Sequence, residues 1–130
     1  MSRVALSAAQ VGLFSFDANY TKLTPHYEFD LSQFRDPIHK FRSKRGRDPE
    51  VKEWIKSDAR FLTVLSMVKI LVSDAIDKQQ QNWISISFRD YHGRWKSEAV
   101  VELVADHLDT LGYKVHTFHS SDNTPGTLPL

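Results

Sequence analysis

The sequence contains no cysteine, which excludes disulfide bonds, thiolate metal ligands and cysteine nucleophiles together. No apolar run approaches the roughly 18 residues that a membrane-spanning helix needs. The first residues also lack the sustained apolar stretch of a signal peptide. No segment matches the G-x-x-x-x-G-K-[ST] phosphate loop, the H-E-x-x-H zinc motif or a serine nucleophile elbow. These absences predict a cytoplasmic protein without a metal, a cofactor or a nucleotide site of the phosphate-loop type.

Charge is nearly balanced, with a net charge of +1, but it is unevenly distributed along the 130 residues. A basic cluster without any acid occupies residues 39–47, and its cations are Lys40, Arg42, Lys44, Arg45 and Arg47. Acids recur at near-helical spacing further along the chain, at Glu98, Glu102, Asp106 and Asp109. The molecule is therefore predicted to have one basic region and one acidic helix face.

Hydrophobic residues make up 41% of the chain, enough for the core of one domain. Alternation with period two predicts strands at residues 12–16, 27–31, 83–88 and 113–118. Apolar stripes predict helices near residues 49–56, 58–78 and 94–111, the last one ended by Gly112. Trp54 and Trp83 are assigned to the core, and Ser85 and Ser87 are small enough to accept a helix on the second face of a sheet.

The order strand, loop, helix, strand after residue 82 implies a right-handed parallel crossover. The predicted fold class is therefore α/β, with a mainly parallel central sheet flanked by helices. One domain is predicted at residues 1–119. Residues 120–130, which contain two prolines and a glycine, are predicted to form a flexible tail.

The loop at residues 89–97 falls where ligands bind in open α/β sheets, beyond a strand end and before a helix. Backbone N–H groups at a helix start favour anions, and a glycine lets the backbone approach a ligand closely. The residues predicted to bind phosphate are Arg89, His92, Gly93, Arg94, Lys96 and Ser97. The alternative, that these are ordinary solvated residues of a connecting loop, stays open on spacing alone.

The basic cluster at residues 39–47 also has two interpretations. It either keeps the protein soluble or contacts the phosphates of a nucleic acid, and on the second interpretation all five of its cations bind RNA. Tyr91 and Trp95 either stack on bases or pack on the core. The close histidine pair His116-x-x-His119 has no third ligand nearby in the sequence, so no metal site is predicted there.

Three segments occur in an order that is characteristic as a series. Phe29-Asp30 precedes Asp36-Pro37, residues 41–51 read F-R-S-K-R-G-R-D-P-E-V, and Gly93 and Ser97 lead into the last helix. Over residues 12–119 this series resembles the C-terminal domain of the RapZ proteins, bacterial adapters for RNase cleavage of small regulatory RNAs. The corresponding family motifs are F-D-x-R-x-x-x-N-P, L-R-x-x-T-G-x-D-x-x-V and G-C-T-G-G-x-H-R-S. At residues 89–92 the chain departs from the last motif, because Arg, Asp, Tyr and His replace Gly-Cys-Thr-Gly.

The resemblance implies a phosphofructokinase-like sub-fold, RNA binding, self-association and binding of an amino-sugar phosphate, without catalysis in this domain. It predicts a non-catalytic, adapter-type module that forms a homodimer, through apolar residues such as Val11 and Leu13, and works with an RNA-processing protein. One alternative is a small enzyme or sensor that acts on a phosphorylated small molecule through Asp90 and His92. Another is a protein-interaction module that uses the acidic helix face.

Overall fold

The computed structural model describes residues 9–17, 19–32, 34, 46–90 and 96–122. Its elements are β1 (Gln10–Phe16), β2 (Tyr27–Asp30), α1 (Pro49–Lys56), α2 (Ala59–Val72), β3 (Trp83–Arg89), α3 (Lys96–Thr110) and β4 (Lys114–His119). A π-helical segment, Ser73–Lys78, continues α2, so the helix predicted at residues 58–78 is confirmed in two parts. The predicted start of the last helix, at residues 94 and 95, lies outside the described residues.

All four strands pair in parallel, in the order β2-β3-β1-β4. The first strand is therefore interior, because Gln10 is in register with Trp83 of β3 on one side and with Lys114 of β4 on the other. Parallel pairing brings the carboxyl ends of the strands to one edge of the sheet, which we call the carboxyl edge; its strand residues are Phe16, Asp30, Arg89 and His119. The α/β fold predicted from the sequence is confirmed.

One face of the sheet packs against the helices and forms the core. Val11 and Leu13 of β1 are fully buried there beside Ile84 and Ile86 of β3. The helices contribute Val51, Ile55, Val64, Val68, Val100, Val104 and Leu108. Using Val11 and Leu13 for a dimer interface is therefore wrong, because both side chains point into the covered face.

Local contacts begin α2 and end α3. Asp58 accepts a hydrogen bond from the Arg60 backbone N–H at 3.0 Å, which caps the start of α2. After α3, Gly112 has a φ of 95°, and the Tyr113 N–H donates to the Leu108 carbonyl at 3.2 Å. This left-handed turn confirms Gly112 as the residue that ends the helix.

The second face of the sheet carries a cluster of aromatic rings. Phe14, Phe16, Phe118 and Tyr20 lie with ring centroids 4.5 to 6.4 Å apart. Residues 17–26 run across this face, so in the part of the chain that the structure describes a loop takes the place of the helix that the small serines suggested.

Trp83 is 41% exposed, and its assignment to the core is wrong, because it points to the second face at the start of β3. Trp54, by contrast, packs against the core as predicted.

Residues 120–122 belong to the packed fold. They form a 3-10 turn, in which Ser120 is buried and accepts a hydrogen bond from the Asp17 N–H at 3.2 Å. The packed chain therefore extends three residues past the predicted boundary at residue 119, and the rest of the predicted tail lies outside the described residues. Within the described ranges, every helix is too short or too polar to cross a membrane.

Candidate functional site at the carboxyl edge

The structure describes only part of the site predicted from the sequence, and that part lies near the carboxyl edge of the sheet. The structure describes Arg47, Arg89, Lys96 and Ser97. The other predicted contacts lie outside the described residues, and they are Lys40, Arg42, Lys44, Arg45, His92, Gly93 and Arg94.

Arg89 is the centre of an internal network on the second face of the sheet. Its Nε and Nη2 donate to the two carboxylate oxygens of Glu28, each at 3.0 Å. Its Nη1 donates to the carbonyl oxygens of Asp17 and Tyr20 at 2.6 and 2.8 Å. The guanidinium carbon also lies 5.2 Å from the centre of the Phe16 ring. Arg89 therefore ties β2 and the start of the 17–26 segment to β3, and its charge is balanced by Glu28.

The Glu28 carboxylate is held in its charged form by this network. Burial by itself would raise the pKa of Glu28, but hydrogen bonds from Arg89 and Ser87 and the positive charge of Arg89 outweigh it. The pKa of Glu28 consequently lies below its usual value of 4.5. The Ser87 hydroxyl donates to the Glu28 Oε2 at 2.6 Å. The ion pair with Arg89 is therefore fully formed at neutral pH.

The Asp90 carboxylate lies at the N-terminus of α3, six residues before the helix begins in the sequence. Its Oδ2 accepts the Ser97 backbone N–H at 2.9 Å, and its Oδ1 accepts the Ser97 hydroxyl at 3.4 Å. The Asp90 side chain is buried at this position. A carboxylate of the chain itself thus sits where a helix start would attract a phosphate. This argues against a compact sugar-phosphate pocket at the start of α3. It also argues against the enzyme alternative, because the Asp90 carboxylate that was to act as an acid or base caps the helix instead.

Lys96 and Arg47 both lie near the first turn of α3. Lys96 is buried, with its Nζ 3.5 Å from the Phe34 carbonyl oxygen. Arg47 donates to the Asp122 carboxylate at 2.6 Å, and its Nε lies 3.7 Å from the Glu98 Oε1. The last cation of the basic cluster is therefore placed beside the first turn of α3.

The predicted acidic helix face is wrong for its first two members. Glu98 is fully buried, and Glu102 is partly buried against His119. Only Asp106 and Asp109, further along α3, are exposed as predicted. The reason lies in the tertiary structure, because Arg47 contacts Glu98 and His119 of β4 contacts Glu102, and both come from distant parts of the chain.

A second polar network at this edge joins β1, β4 and α3. The Ser15 hydroxyl lies 2.6 Å from the His119 Nδ1, and the His119 Nε2 lies 2.7 Å from the Glu102 Oε2. When the Nε2–H donates its hydrogen bond to the Glu102 carboxylate, the Nδ1 of the neutral ring accepts a hydrogen bond from the Ser15 hydroxyl. Ser15 is fully buried, so this serine is closed to a substrate and the network connects elements of the fold.

Sequence reasoning missed this network. Its one local signal is Ser15, a small polar residue at a core-facing position of an otherwise apolar alternation. The two ends of its first hydrogen bond are 104 residues apart, a separation that no local spacing encodes. The neighbouring His116 belongs to the opposite face of the sheet, since side chains alternate along a strand, so it does not converge with His119. No group of three His, Asp or Glu side chains within the described ranges is close enough to hold a metal ion.

Comparison with known proteins indicates the family to which this α/β fold belongs. The family model described as the RapZ C-terminal domain matches residues 9–122. A nucleotide-binding protein of Cereibacter sphaeroides is 31% identical over 96 residues, which cover 70% of this chain and 32% of that protein. A nucleotide-binding protein of Clostridioides difficile is 28% identical over 97 residues, which cover 70% of this chain and 34% of that protein. The chain therefore spans about a third of the length of these two relatives.

Proposed function

This chain belongs to the RapZ C-terminal domain family, and we propose that it is a non-catalytic, adapter-type module that binds phosphate groups and RNA. The two relatives reported above are named as nucleotide-binding proteins, which supports a ligand that carries phosphate. We propose RNA as that ligand, in the cytoplasm, with an RNA-processing protein as the partner.

The observation that carries the proposal is the position of Arg47. Its Nε lies 3.7 Å from the carboxylate of Glu98, in the first turn of α3. Arg47 is the last cation of the basic cluster at residues 39–47, and α3 begins directly after the 89–97 loop. This position supports the proposal that the two basic segments contribute to one basic surface, formed by the cations of residues 39–47 and of the 89–97 loop. A broad basic surface suits an RNA backbone, whose many phosphates tolerate loose geometry.

The Asp90 cap favours this surface over a closed pocket for a sugar phosphate. A single phosphate at the start of α3 would meet the Asp90 carboxylate, whereas a backbone that crosses the surface can contact other cations of the loop. We propose that His92, Gly93 and Arg94 contact phosphate directly. Arg89, Lys96 and Ser97 contribute through the two ends of the loop that they hold.

The test is RNA binding by a variant in which Arg42, Lys44 and Arg45 are replaced by alanine. Arg47 is kept, because its removal would leave the buried Glu98 without that ion pair. Retardation of a structured RNA is measured over a series of salt concentrations. Each lost phosphate contact should reduce the log–log slope of affinity against salt by about 0.7 to 0.9. If the wild-type protein does not retard structured RNA at ~50 mM salt, where such contacts are strong, the proposal fails.

The matched control removes three exposed cations from the helical side of the molecule, Lys56, Lys69 and Lys78. This variant has the same net charge as the test variant, but its changes lie on α1, α2 and the π-helical segment. It should bind RNA with a salt slope close to that of the wild type. An equal loss in both variants would show that net charge alone drives binding.

We also propose that the module is a homodimer. Val11 and Leu13 are buried, so other apolar residues must form the interface. The outer face of α2 exposes Leu62, Met67 and Ile70, which makes this helix apolar on both sides. Light scattering at high micromolar concentration should give a dimer for the wild type and a monomer for Ile70→Glu.

A further inference from the structure

A cleft with a volume of about 600 Å³ lies on the second face of the sheet, opposite the face that packs against the helices. Phe14 and Phe16 of β1 form its floor, Trp83 and Phe118 border it, and residues 23–25 form a wall. Its volume falls within the roughly 300 to 1,000 Å³ that small-ligand sites occupy. None of its lining residues in the described chain is acidic.

The wall of this cleft is fixed at both ends. Arg89 holds the carbonyl groups of Asp17 and Tyr20 at the first end of the 17–26 segment. At the other end, the Ser85 N–H donates to the His26 Nδ1 at 2.9 Å, and the His26 N–H donates to the Ser85 hydroxyl at 2.9 Å. The cleft is therefore preformed and does not depend on a ligand to close it.

Gly12 has no side chain, and this leaves room for the Trp83 indole to pack on the backbone of β1. A Cβ at Gly12 would come within 2.8 Å of the Trp83 Cζ2, so the indole rests on the backbone of β1. The same indole is still 41% exposed. An indole that packs on a strand and is still accessible is suited to stacking on the ring of a nucleobase.

Trp83 shares this end of the cleft with two other side chains that can form hydrogen bonds, Gln10 and His116. Within the ranges that the structure describes, the Trp83 Nε1, the Gln10 amide and the His116 imidazole have no hydrogen-bond partner. Lys114 is exposed and in register with Gln10, which brings a cation to the same end of the cleft. The indole ring offers a surface on which a base can stack, Gln10 and His116 can bond to the edge of the base, and Lys114 is a cation suited to its phosphate.

We propose that this cleft binds an unpaired base of single-stranded RNA, stacked on Trp83, with Gln10 and His116 at the edge of the base. The inference rests on the proposed RNA binding and adds the kind of RNA that is recognised. The cleft extends along β1 from Gln10 to Phe16, about 20 Å at the rise of a strand. One RNA strand then reaches from Trp83 to the carboxyl edge, where the basic surface begins.

The experiment compares a single-stranded oligoribonucleotide with a duplex of the same length, by fluorescence anisotropy at low salt. Trp83→Ala should weaken binding of the single strand by about 5- to 150-fold, which corresponds to the loss of one base–aromatic stack. Duplex binding and the salt slope should not change, because paired bases are inaccessible and no charge is altered. Trp83→Phe, which keeps a ring, should retain most of the affinity.

The matched control is Tyr27→Ala. Tyr27 is an aromatic residue of the same sheet with a similar exposure, 46%, but it does not line the cleft. Its removal should leave the affinity for both RNAs unchanged. Gly12→Ala provides a second route to the same result, because the added Cβ displaces the indole without removing it. Circular dichroism verifies that each variant is folded.

The outcomes separate the two proposals. If the wild type binds both RNAs, and Trp83→Ala or a folded Gly12→Ala binds the single strand as tightly as the wild type, the base cleft is wrong and the phosphate surface stands. If the wild type binds neither RNA, the proposed function itself fails. If Trp83→Ala converts a dimer to a monomer in light scattering, a second copy of the chain covers this face and the inference is overturned.

Discussion

The Asp90 carboxylate and the backbone N–H of Ser97 form a hydrogen bond of 2.9 Å at the first turn of α3. The chain thereby supplies its own anion to a helix start that follows a parallel strand. In many α/β proteins this position is left open for a phosphate of the ligand. The bond explains how Asp90 is compatible with the fold at the start of the 89–97 loop, since its carboxylate satisfies the helix start that a ligand would otherwise satisfy.

Replacing Asp90 by alanine should have two measurable effects. Loss of the cap should lower the free energy of unfolding by about 1 to 2 kcal/mol in urea denaturation. Inorganic phosphate should then stabilise the variant more than the wild type, because the N-terminus of α3 is freed. Asp106→Ala, an exposed change on the same helix, serves as the control. Equal stabilisation of the wild type and Asp90→Ala by phosphate would contradict the role assigned to Asp90.

Arg89→Lys should destabilise the protein by about 1 to 3 kcal/mol, although the charge is kept. The planar guanidinium reaches two carboxylate oxygens and two carbonyl groups together, which a single ammonium group cannot do. Guanidinium chloride denaturation measures the change. Arg60→Lys is the control, since the Arg60 side chain is half exposed where it pairs with Asp58 and the charge is kept, so stability should change by less than ~0.5 kcal/mol. A fully stable Arg89→Lys would show that the network contributes little.

Stability should depend on pH through Glu28. The pKa of Glu28 is lowered in the folded state, so its contribution is present at neutral pH and is lost as the pH falls below 4.5, through the folded pKa. The free energy of unfolding of the wild type should therefore decline more steeply than that of Glu28→Gln between about pH 6 and pH 3. Parallel pH profiles for the two proteins would refute this assignment.

Ser15 and Glu102 should be energetically coupled through His119. Ser15→Ala leaves the buried Nδ1 of His119 without that hydrogen bond, which should cost about 1 to 3 kcal/mol. Glu102→Ala likewise removes the hydrogen bond between the His119 Nε2 and the Glu102 carboxylate. A double-mutant cycle in urea should give a coupling free energy of at least ~0.5 kcal/mol, because one imidazole serves both partners. Additive effects would mean that the two hydrogen bonds act independently.

Local patterns were sufficient to predict the strands and helices and the parallel crossover, but not the order of the strands in the sheet. The alternation in Gln10–Phe16 and the stripe of α3 depend on neighbouring residues only, and the parallel crossover follows from their order. The carboxyl edge could be located for the same reason. The fold class and the family were both within reach of the sequence.

The orientation of individual side chains could not be predicted in this way. Glu98 and Lys96 read as solvated residues, yet the structure buries them, because Arg47 and Phe34 arrive from distant segments. Trp83 reads as a core residue, yet it lies on the face that a loop covers. These outcomes depend on which segments cover each face of the sheet, and that information is distributed over the whole chain.

The interior position of β1 has a consequence for how the protein folds. Both neighbours of Gln10–Phe16 in the sheet come late in the chain, and Ser15 reaches its partner His119 only across 104 residues. Closing such long loops before any contact forms makes folding slow compared with that of a helical bundle. During synthesis, β1 leaves the ribosome before β3 and β4 and stays without these two partners until they have followed. Val11 and Leu13 are accessible to chaperones throughout that interval, and the last strand to emerge completes the sheet.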